Sequence, residues 1–300
     1  MKNSKALFRY FVSRIVSDDA EEVDAMAYIV LDHVFSISRT DVLADRSVAV
    51  SPAAAEKMET ILNRLNTGEP LQYVLGEAEF YGRIFKVRPG VLIPRPETEE
   101  LVRWVVESGD RSRYPLVSSQ EPVVGRQQPG VGIRVLDIGT GTGCIPVTLF
   151  LEIPGAEVFA VDVSDVAIAV ARENASLLNA RIDIVSLDVL KDPLPWEGLD
   201  VIVSNPPYIP WSEKVSMRRN VTEFEPEVAL FVPEDDPLIF YKAIAKQASR
   251  ALRRPGLLAV EINERFGEGV ARVFREEGFS DVEVIKDIFG KERIVKGVLG

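Results

Sequence analysis

The tetrapeptide Asn205-Pro206-Pro207-Tyr208 contains the residue types best suited to chemistry. Two consecutive prolines fix φ and remove two backbone donors, so the segment predicts a stiff loop that presents carbonyl acceptors and an aromatic ring. The Asn205 side-chain oxygen and the Pro206 carbonyl can accept the two N–H bonds of a planar nitrogen. Tyr208 would stack on the planar group or wall the pocket. We therefore expect Asn205, Pro206 and Tyr208 to catalyse by positioning an amide-type nitrogen, with Pro207 as a further substrate-binding residue.

A glycine-rich turn follows the apolar run Val135–Ile138, which contains Asp137. The turn consists of Gly139, Thr140, Gly141, Thr142 and Gly143. Glycines let the backbone turn tightly and approach a ligand closely. A dinucleotide-binding turn would place glycine or alanine at position 144, where this sequence has Cys144. Asp137 suits S-adenosylmethionine, which carries an ammonium and a sulfonium and no pyrophosphate. We hypothesise that Asp137 lies near the methionine end of this cofactor, the alternative being a purely structural turn.

Two more acids end predicted strands and extend the candidate cofactor site. Asp162 follows Val158–Val161, where an acid can accept hydrogen bonds from both ribose hydroxyls. Asp188 follows Ile182–Leu187 and is expected near the adenine, with its carboxylate on the amino group and Val189 packed on the ring. The alternatives are a helix N-cap for Asp162 and a plain strand-end turn for Asp188.

The elements that must position these residues alternate between strand and helix from Ile133 onward. Short apolar runs predict buried parallel strands, and helical stretches separate most of them. The predicted strands are 133–136, 158–161, 182–187, 201–203 and 257–262, with two more near 282–285 and 294–298. The predicted helices are 145–151, 166–178 and 238–252. This pattern indicates an α/β class with a doubly wound sheet, whose ligands bind beyond the carboxyl ends of the strands.

The first 75 residues predict a small helical domain. Ser51-Pro52 offers an N-cap followed by proline at the first helical position, and the second helix is expected to bury Ala25, Ile29 and Val30. Residues 76–108 predict a β-hairpin and a connecting helix. Residues 109–132 are rich in Ser, Gly, Gln, Pro and Arg and predict a flexible loop or linker, and residues 133–300 form the predicted catalytic domain.

Composition narrows the classes of function. The net charge of −11 disfavours a protein that grips nucleic acid through phosphate contacts and suits a basic protein partner. The single cysteine excludes an intrachain disulfide and fits a reducing compartment. The single histidine, His33, lies far from every motif, so histidine acid-base catalysis and a metal site have little support. With neither a secretory signal nor a membrane span evident, we expect a cytoplasmic protein without membrane contact, and a monomer.

Several longer motifs resemble the HemK/PrmC family of peptide chain release factor glutamine N5-methyltransferases. The more specific ones are Gly68–Gly76, Phe80-Tyr81-Gly82 and Val91–Glu99, and Phe224–Leu230 and Asp287–Arg293 are also similar to family segments. The likeness extends from about Gly68 to the C-terminus. The segment 109–132 is longer than the family pattern.

The resemblance implies a class I S-adenosylmethionine-dependent methyltransferase with a Rossmann-like, seven-stranded sheet whose last strand is antiparallel. It implies an N-terminal helical domain that contacts a release factor as protein substrate. Gly139 to Gly143, Asp162, the Asp188-Val189 turn and Asn205 would contact the cofactor, and Asn205 to Tyr208 would hold the glutamine. Three alternatives stay open: glutamine methylation of a ribosomal protein, N6-adenine or N2-guanine methylation of DNA or RNA, and a binding module without catalysis.

Overall fold

The computed structural model describes residues 2–17, 19–109 and 132–300, and its contacts divide the chain into two compact units. The first unit is the chain up to Glu77 together with Arg218–Phe224, and the second is Ala78–Met217 with Glu225–Gly300. Most of the predicted linker, at 110–131, lies outside the described residues. Within the described ranges, no helix is both long and apolar enough to cross a membrane.

The first unit is built from helices, as predicted. In chain order its elements are β1 (Lys2–Asn3), α1 (Ser4–Val12), α2 (Ala20–Phe35), α3 (Arg39–Leu43), β2 (Ser47–Val48), α4 (Pro52–Asn66) and α5 (Leu71–Leu75). The Ser51 side chain caps α4 by accepting from the Ala54 N–H, and Pro52 occupies the first turn. The short pairing of β1 with β2 was not predicted.

The predicted buried face of α2 is wrong in two of its three residues. Ala25 and Ile29 are exposed, and the helix buries Val23, Ala27, Val30 and Leu31. Apolar residues occur on every side of this helix, so spacing alone did not decide which face packs. The core of the unit gathers around Phe11, Leu31 and Leu62.

The second unit follows the predicted alternation of strands and helices. It begins with β3 (Glu77–Phe80), β4 (Arg83–Lys86), α6 (Pro96–Gly109), β5 (Arg134–Ile138), α7 (Cys144–Glu152), β6 (Glu157–Asp162), α8 (Asp165–Leu177), β7 (Ile182–Ser186), β8 (Leu199–Ser204) and β9 (Ile209–Pro210). It continues, in chain order and including one helix of the first unit, with α9 (Arg219–Phe224), β10 (Phe231–Val232), α10 (Ile239–Ala251), β11 (Leu252–Glu261), α11 (Gly267–Glu276), β12 (Phe279–Lys286) and β13 (Glu292–Leu299).

A seven-stranded sheet forms the centre of this unit, in the order β12-β13-β11-β8-β5-β6-β7. β11, β8, β5, β6 and β7 pair in parallel, and β13 runs antiparallel to both of its neighbours, which confirms the expected sheet. Successive strand residues pack on opposite faces: Val201 and Val203 belong to one core cluster and Ile202 to the other. The carboxyl ends of β5, β6, β7 and β8 therefore lie along one edge.

The predicted hairpin is confirmed as β3 and β4, joined by Tyr81 and Gly82. Both turn residues have positive φ, as a two-residue type I′ turn requires. Beyond the hairpin, buried Asn174 of α8 joins β4 to the glycine-rich turn. Its amide nitrogen donates to the Lys86 and Thr142 carbonyls at 2.9 Å each, and its oxygen accepts from the Lys86 N–H at 2.7 Å. This side chain fixes the turn against the hairpin.

We expect Asn174→Ala to lower the free energy of unfolding by about 3 kcal/mol, since three hydrogen bonds worth about 1 kcal/mol each are lost. Urea unfolding followed by circular dichroism measures the change. Glu173→Ala is the matched control, because its ion pair with Arg88 is more than 40% exposed at both side chains and is worth less than about 1 kcal/mol. Equal losses in the two variants would contradict this role for Asn174.

Candidate active site

The glycine-rich turn connects the carboxyl end of β5 to the start of α7. Gly139, Gly141 and Gly143 have φ values of 75°, 54° and 78°, a region that side chains with a Cβ rarely adopt. A Cβ at Gly143 would lie 3.0 Å from that of Ala171, so α8 packs tightly here. A Cβ at Gly139 or Gly141 would meet no atom within 4 Å. The turn therefore leaves space on its open side for a ligand.

Asp137 lies on β5 just before this turn and is fully buried. Neither carboxylate oxygen has a hydrogen-bond partner among the residues that the structure describes, and the same holds for the buried Thr140 hydroxyl oxygen. Burial raises the pKa of Asp137 to about 7; the nearby Thr140 hydroxyl opposes the shift and the charge of Asp162 adds to it. A buried carboxyl group without partners is costly, and a cationic ligand group would remove that cost.

Asp162 ends β6 with its carboxylate directed at the turn. One oxygen accepts from the Gly141 N–H at 2.8 Å and the other from the Ser164 N–H at 2.9 Å. Burial raises the pKa of Asp162 above its usual value, against the effect of these backbone donors. The side chain that caps α8 is that of Ser164, which accepts from the Ala167 N–H. Asp162 is therefore not the N-cap, and its oxygens keep lone pairs for ligand hydroxyls.

Asp188 follows β7 and takes part in a strand-end turn. One oxygen accepts from the Leu190 N–H, and the other pairs with the Lys191 ammonium at 2.7 Å. The Lys191 ammonium lowers the pKa of Asp188, so this carboxyl group is ionised at neutral pH. Asp188 and Val189 both line the cavity described below. The turn and a ligand contact are compatible, because a carboxylate has about four acceptor positions.

Asn205 follows the last residue of β8, and a hydrogen bond to Thr98 fixes its side-chain amide. Its nitrogen donates to the Thr98 hydroxyl at 3.0 Å, and that hydroxyl donates to Glu261 at 2.7 Å. The Tyr208 hydroxyl donates to the second oxygen of Glu261 at 3.1 Å. We call Asn205, Thr98, Glu261 and Tyr208 the acceptor network. The Asn205 oxygen accepts no hydrogen bond from any residue within the described ranges.

Burial accounts for the unusual proton affinities in the acceptor network. Glu261 and Thr98 are almost fully buried, and burial raises the pKa of Glu261 to about 7, against the hydrogen bonds from Thr98 and Tyr208. Burial also raises the pKa of Tyr208, with a further contribution from Glu261, so this hydroxyl stays protonated. Tyr208 packs its ring against the core cluster that contains Leu258 and Val260.

One cavity brings most of the sequence-predicted residues together, with roughly 1040 Å³ of empty space including its open mouth. Those that line it are Gly139, Thr140, Gly141, Thr142, Asp162, Asp188, Val189, Asn205, Pro206 and Pro207. Asp137, Gly143 and Tyr208 are not among the lining residues. Asp137 is fully buried on β5, Gly143 packs on α8, and the Tyr208 hydroxyl is directed at Glu261.

Thr98, Glu261 and Arg95 belong to this region and were not predicted as site residues. Thr98 and Arg95 line the cavity, and Arg95 pairs with the buried Glu225 at 2.6 Å, which also accepts from the Ile93 N–H. The sequence could have indicated Glu261 as a candidate site residue, because it is the one acid in the predicted buried strand 257–262. No comparable feature of the sequence indicated Thr98.

Comparison with known proteins assigns the chain to a family. The model of the PrmC N-terminal domain matches residues 6–76, and that of the methyltransferase small domain matches residues 126–222. A release factor glutamine methyltransferase of Bacteroides thetaiotaomicron is 41% identical over 92% of this chain and 92% of its own length. The chain belongs to the release factor glutamine methyltransferase family.

A second curated relative supports the same assignment. The release factor glutamine methyltransferase of Flavobacterium psychrophilum is 36% identical over 99% of this chain and 98% of its own length. A solved methyltransferase structure from Pyrococcus furiosus is a distant likeness, with 18% identity, a TM-score of 0.48 and coverage of 74% of this chain and 91% of that one. As a member of the release factor glutamine methyltransferase family, the chain is an S-adenosylmethionine-dependent enzyme.

The orphaned carboxylate of Asp137 predicts a pH-dependent cofactor affinity. The cationic S-adenosylmethionine favours the ionised form of Asp137, whose pKa burial raises to about 7. Its affinity is therefore highest above pH 7 and falls by about tenfold for each pH unit below 7. Asp137→Asn should weaken S-adenosylmethionine binding about 10- to 100-fold and remove this dependence. Isothermal titration between pH 5.5 and 7.5 measures both effects. Asp183→Asn, which removes an exposed acid from β7, is the control, and an unchanged slope in Asp137→Asn would contradict the assignment.

Proposed function

We propose that this enzyme transfers a methyl group from S-adenosylmethionine to the side-chain amide nitrogen (N5) of the glutamine in the Gly-Gly-Gln motif of a translation release factor. The observation that carries this proposal is the fixed orientation of Asn205. Thr98 holds the amide nitrogen, which leaves the oxygen of a cavity-lining residue as an acceptor. The relatives at 36–41% identity carry the same activity in their names.

The cofactor half of the proposed site combines three acids with the glycine-rich turn. Asp137 would supply negative charge for the methionine end, where its two oxygens otherwise lack partners. Asp162 would accept from the ribose hydroxyls, and Asp188 with Val189 would hold the adenine. Gly139 to Gly143 would leave room for close approach, since a Cβ at Gly139 or Gly141 would project into open space. The residues present thus fit the cofactor by charge and by shape.

Catalysis in this proposal is mainly a matter of orientation. S-adenosylmethionine supplies an activated methyl group on a sulfonium. The glutamine amide nitrogen is a poor nucleophile because its lone pair is delocalised into the carbonyl. The Asn205 oxygen and the Pro206 carbonyl would each accept one of its N–H bonds, which aligns the nitrogen with the methyl group. Tyr208 would wall the pocket or stack on the planar amide, and Pro206 and Pro207 would keep the loop stiff.

The partner in this proposal is a release factor, bound by the protein as a monomer in the cytoplasm, where translation takes place. The helical N-terminal unit would contact the factor. A net charge of −11 favours a basic protein surface over a phosphate backbone, so we propose no direct contact with nucleic acid.

The direct test is methyl transfer from labelled S-adenosylmethionine to a purified release factor. We expect label on the intact factor and none on a copy whose Gly-Gly-Gln glutamine is replaced by alanine, because the acceptor is that side-chain nitrogen. A ribosomal protein fraction, DNA and ribosomal RNA serve as parallel acceptors. Label on nucleic acid or on a ribosomal protein instead of the factor would overturn the proposed substrate and leave the cofactor site unaffected.

Asn205→Ala should reduce kcat by about 100-fold or more and change cofactor affinity by less than about threefold, because the lost oxygen aligns the nucleophile. Single-turnover kinetics and titration with S-adenosylhomocysteine separate the two quantities. Asn179→Gly is the matched control, since Asn179 is exposed, lies outside the cavity and has a positive φ that glycine adopts freely. Parallel losses of rate and affinity in Asn205→Ala would argue against an aligning role.

A further inference from the structure

The hydrogens of the acceptor network have a defined direction when Glu261 is ionised. A carboxylate only accepts, so the Thr98 and Tyr208 hydroxyls must each donate their single hydrogen to it, at 2.7 Å and 3.1 Å. Thr98 then has only lone pairs left for Asn205. Of the two ends of the Asn205 amide, only the nitrogen can donate to those lone pairs, at 3.0 Å. The amide oxygen is consequently turned away from Thr98.

We infer that Glu261 and Thr98 are positioning residues that set the orientation of the Asn205 side-chain amide, so that its oxygen faces the substrate nitrogen that receives the methyl group. The same carboxylate also accepts from the Tyr208 hydroxyl and so fixes a second side chain of the acceptor network. This inference deepens the proposed function and rests on it for the identity of the acceptor. The direction of the hydrogen-bond chain rests on the geometry and on an ionised Glu261, and not on the identity of the substrate.

The placement of Glu261 suits this task better than a purely structural one. A buried carboxylate is costly unless it is fully hydrogen-bonded, and the core around β11 is otherwise apolar. Both of its oxygens are used by residues of the acceptor region, Thr98 and Tyr208, rather than by a neighbouring strand. Its partners are 163 and 53 residues away in sequence, so the contact forms only when the sheet and α6 are in place.

The groups that face Glu261 determine when the carboxylate is charged. Arg293, which pairs with Asp287 at 3.2 Å, favours the ionised form, and the charge of Glu97 opposes it. The Tyr208 hydroxyl favours ionisation by donating to the Glu261 carboxylate. The Tyr241 hydroxyl donates to the backbone carbonyl of Glu261. Burial outweighs these contributions and raises the pKa of Glu261 to about 7. The carboxylate therefore predominates above pH 7, and protonation increases below it.

Protonation of Glu261 would reverse the chain of hydrogen bonds. A protonated carboxyl group can donate to Thr98, which frees the Thr98 hydrogen to point at Asn205. The Asn205 amide would then turn its oxygen toward Thr98 and its N–H bonds toward the acceptor. Two sets of N–H donors would face each other, and the nucleophile would lose an acceptor that aligns it. Low pH should therefore slow the chemical step without weakening cofactor binding by this route.

The first arm of the test removes the Thr98 hydroxyl. We expect Thr98→Val to lower kcat for release factor methylation by about 10- to 100-fold, with the KM for S-adenosylmethionine changed by less than about threefold. Thr98→Ser restores the hydroxyl and should recover kcat to within about threefold. Thr148→Val is the matched control, because Thr148 is buried and its hydroxyl oxygen has no partner among the described residues. Thr98→Val with normal kcat, or with cofactor KM raised as much as kcat falls, would overturn the inference.

The second arm removes the ionisation of Glu261. At saturating cofactor, wild-type kcat should fall as the pH decreases through about 7, the value to which burial raises the pKa of Glu261. Glu261→Gln should have a lower kcat at pH 8, because Thr98 and Tyr208 donate to different carboxylate oxygens and glutamine replaces one of these oxygens with an NH₂ group that cannot accept. Its kcat should no longer depend on pH across this range. Retention of the wild-type pH profile in Glu261→Gln would overturn the role of the carboxylate.

The third arm reads the Asn205 orientation without any activity. In ¹⁵N spectra of the whole protein, the Asn205 side-chain resonance is identified by its loss in Asn205→Asp. One of its hydrogens should exchange slowly in the wild type and in Thr98→Ser, and rapidly in Thr98→Val, because Thr98 is its acceptor. Equal exchange in all three proteins would overturn the inference. If wild-type enzyme fails to methylate the factor, the proposed function fails, and this arm still decides the orientation of Asn205.

Discussion

Removal of carboxyl groups from water is the constraint on which the active-site region depends. Asp137 and Glu261 are both buried at the edge of the sheet where β5 and β11 end, and burial raises the pKa of each to about 7. A buried charge is tolerated only when hydrogen bonds or an opposite charge replace the lost hydration. Glu261 has two hydroxyl donors from within the protein, and Asp137 has no partner among the described residues. Glu261 is therefore stabilised by hydrogen bonds within the protein, whereas a cationic ligand group would stabilise the ionised form of Asp137.

The parallel sheet explains why these groups meet. Parallel strands deliver their carboxyl ends to one edge, so β5, β6, β7 and β8 bring Asp137, Asp162, Asp188 and Asn205 to the same region although 68 residues separate the first from the last. The Ser204 hydroxyl donates to the Ile138 carbonyl at 2.7 Å and holds the last residue of β8 against the end of β5. The acids thus gather near the glycine-rich turn, and the neutral acceptors of Asn205 and Pro206 lie beside it. A cationic cofactor and an uncharged amide suit these two halves respectively.

Local patterns predicted the strands, the glycine-rich turn, the strand-end acids and the loop at Asn205, because each is encoded by adjacent residues. The acceptor network was not predicted, since Thr98 meets Asn205 across 107 residues and Glu261 across 163. A single sequence shows neither distance. The same limit applies to Arg218–Phe224, which joins the helical unit through contacts such as that of Arg218 with Glu22 at 3.1 Å. The prediction of the buried face of α2 was wrong for another reason: apolar residues occur on every side of this helix, so their spacing does not identify the buried face.

The acceptor geometry also bears on how the enzyme distinguishes its substrate. Two acceptors and an aromatic ring suit any planar group with an –NH₂, so an adenine amino group would meet the same hydrogen bonds as a glutamine amide. Selectivity between them must therefore come from surfaces that contact the rest of the substrate. A duplex or folded RNA would bring a dense row of phosphates to a chain with a net charge of −11, and repulsion would oppose its approach. A basic protein surface would be attracted by the same charge, so the net charge of the chain would favour a protein-borne amide among the planar nitrogens that the acceptor geometry suits.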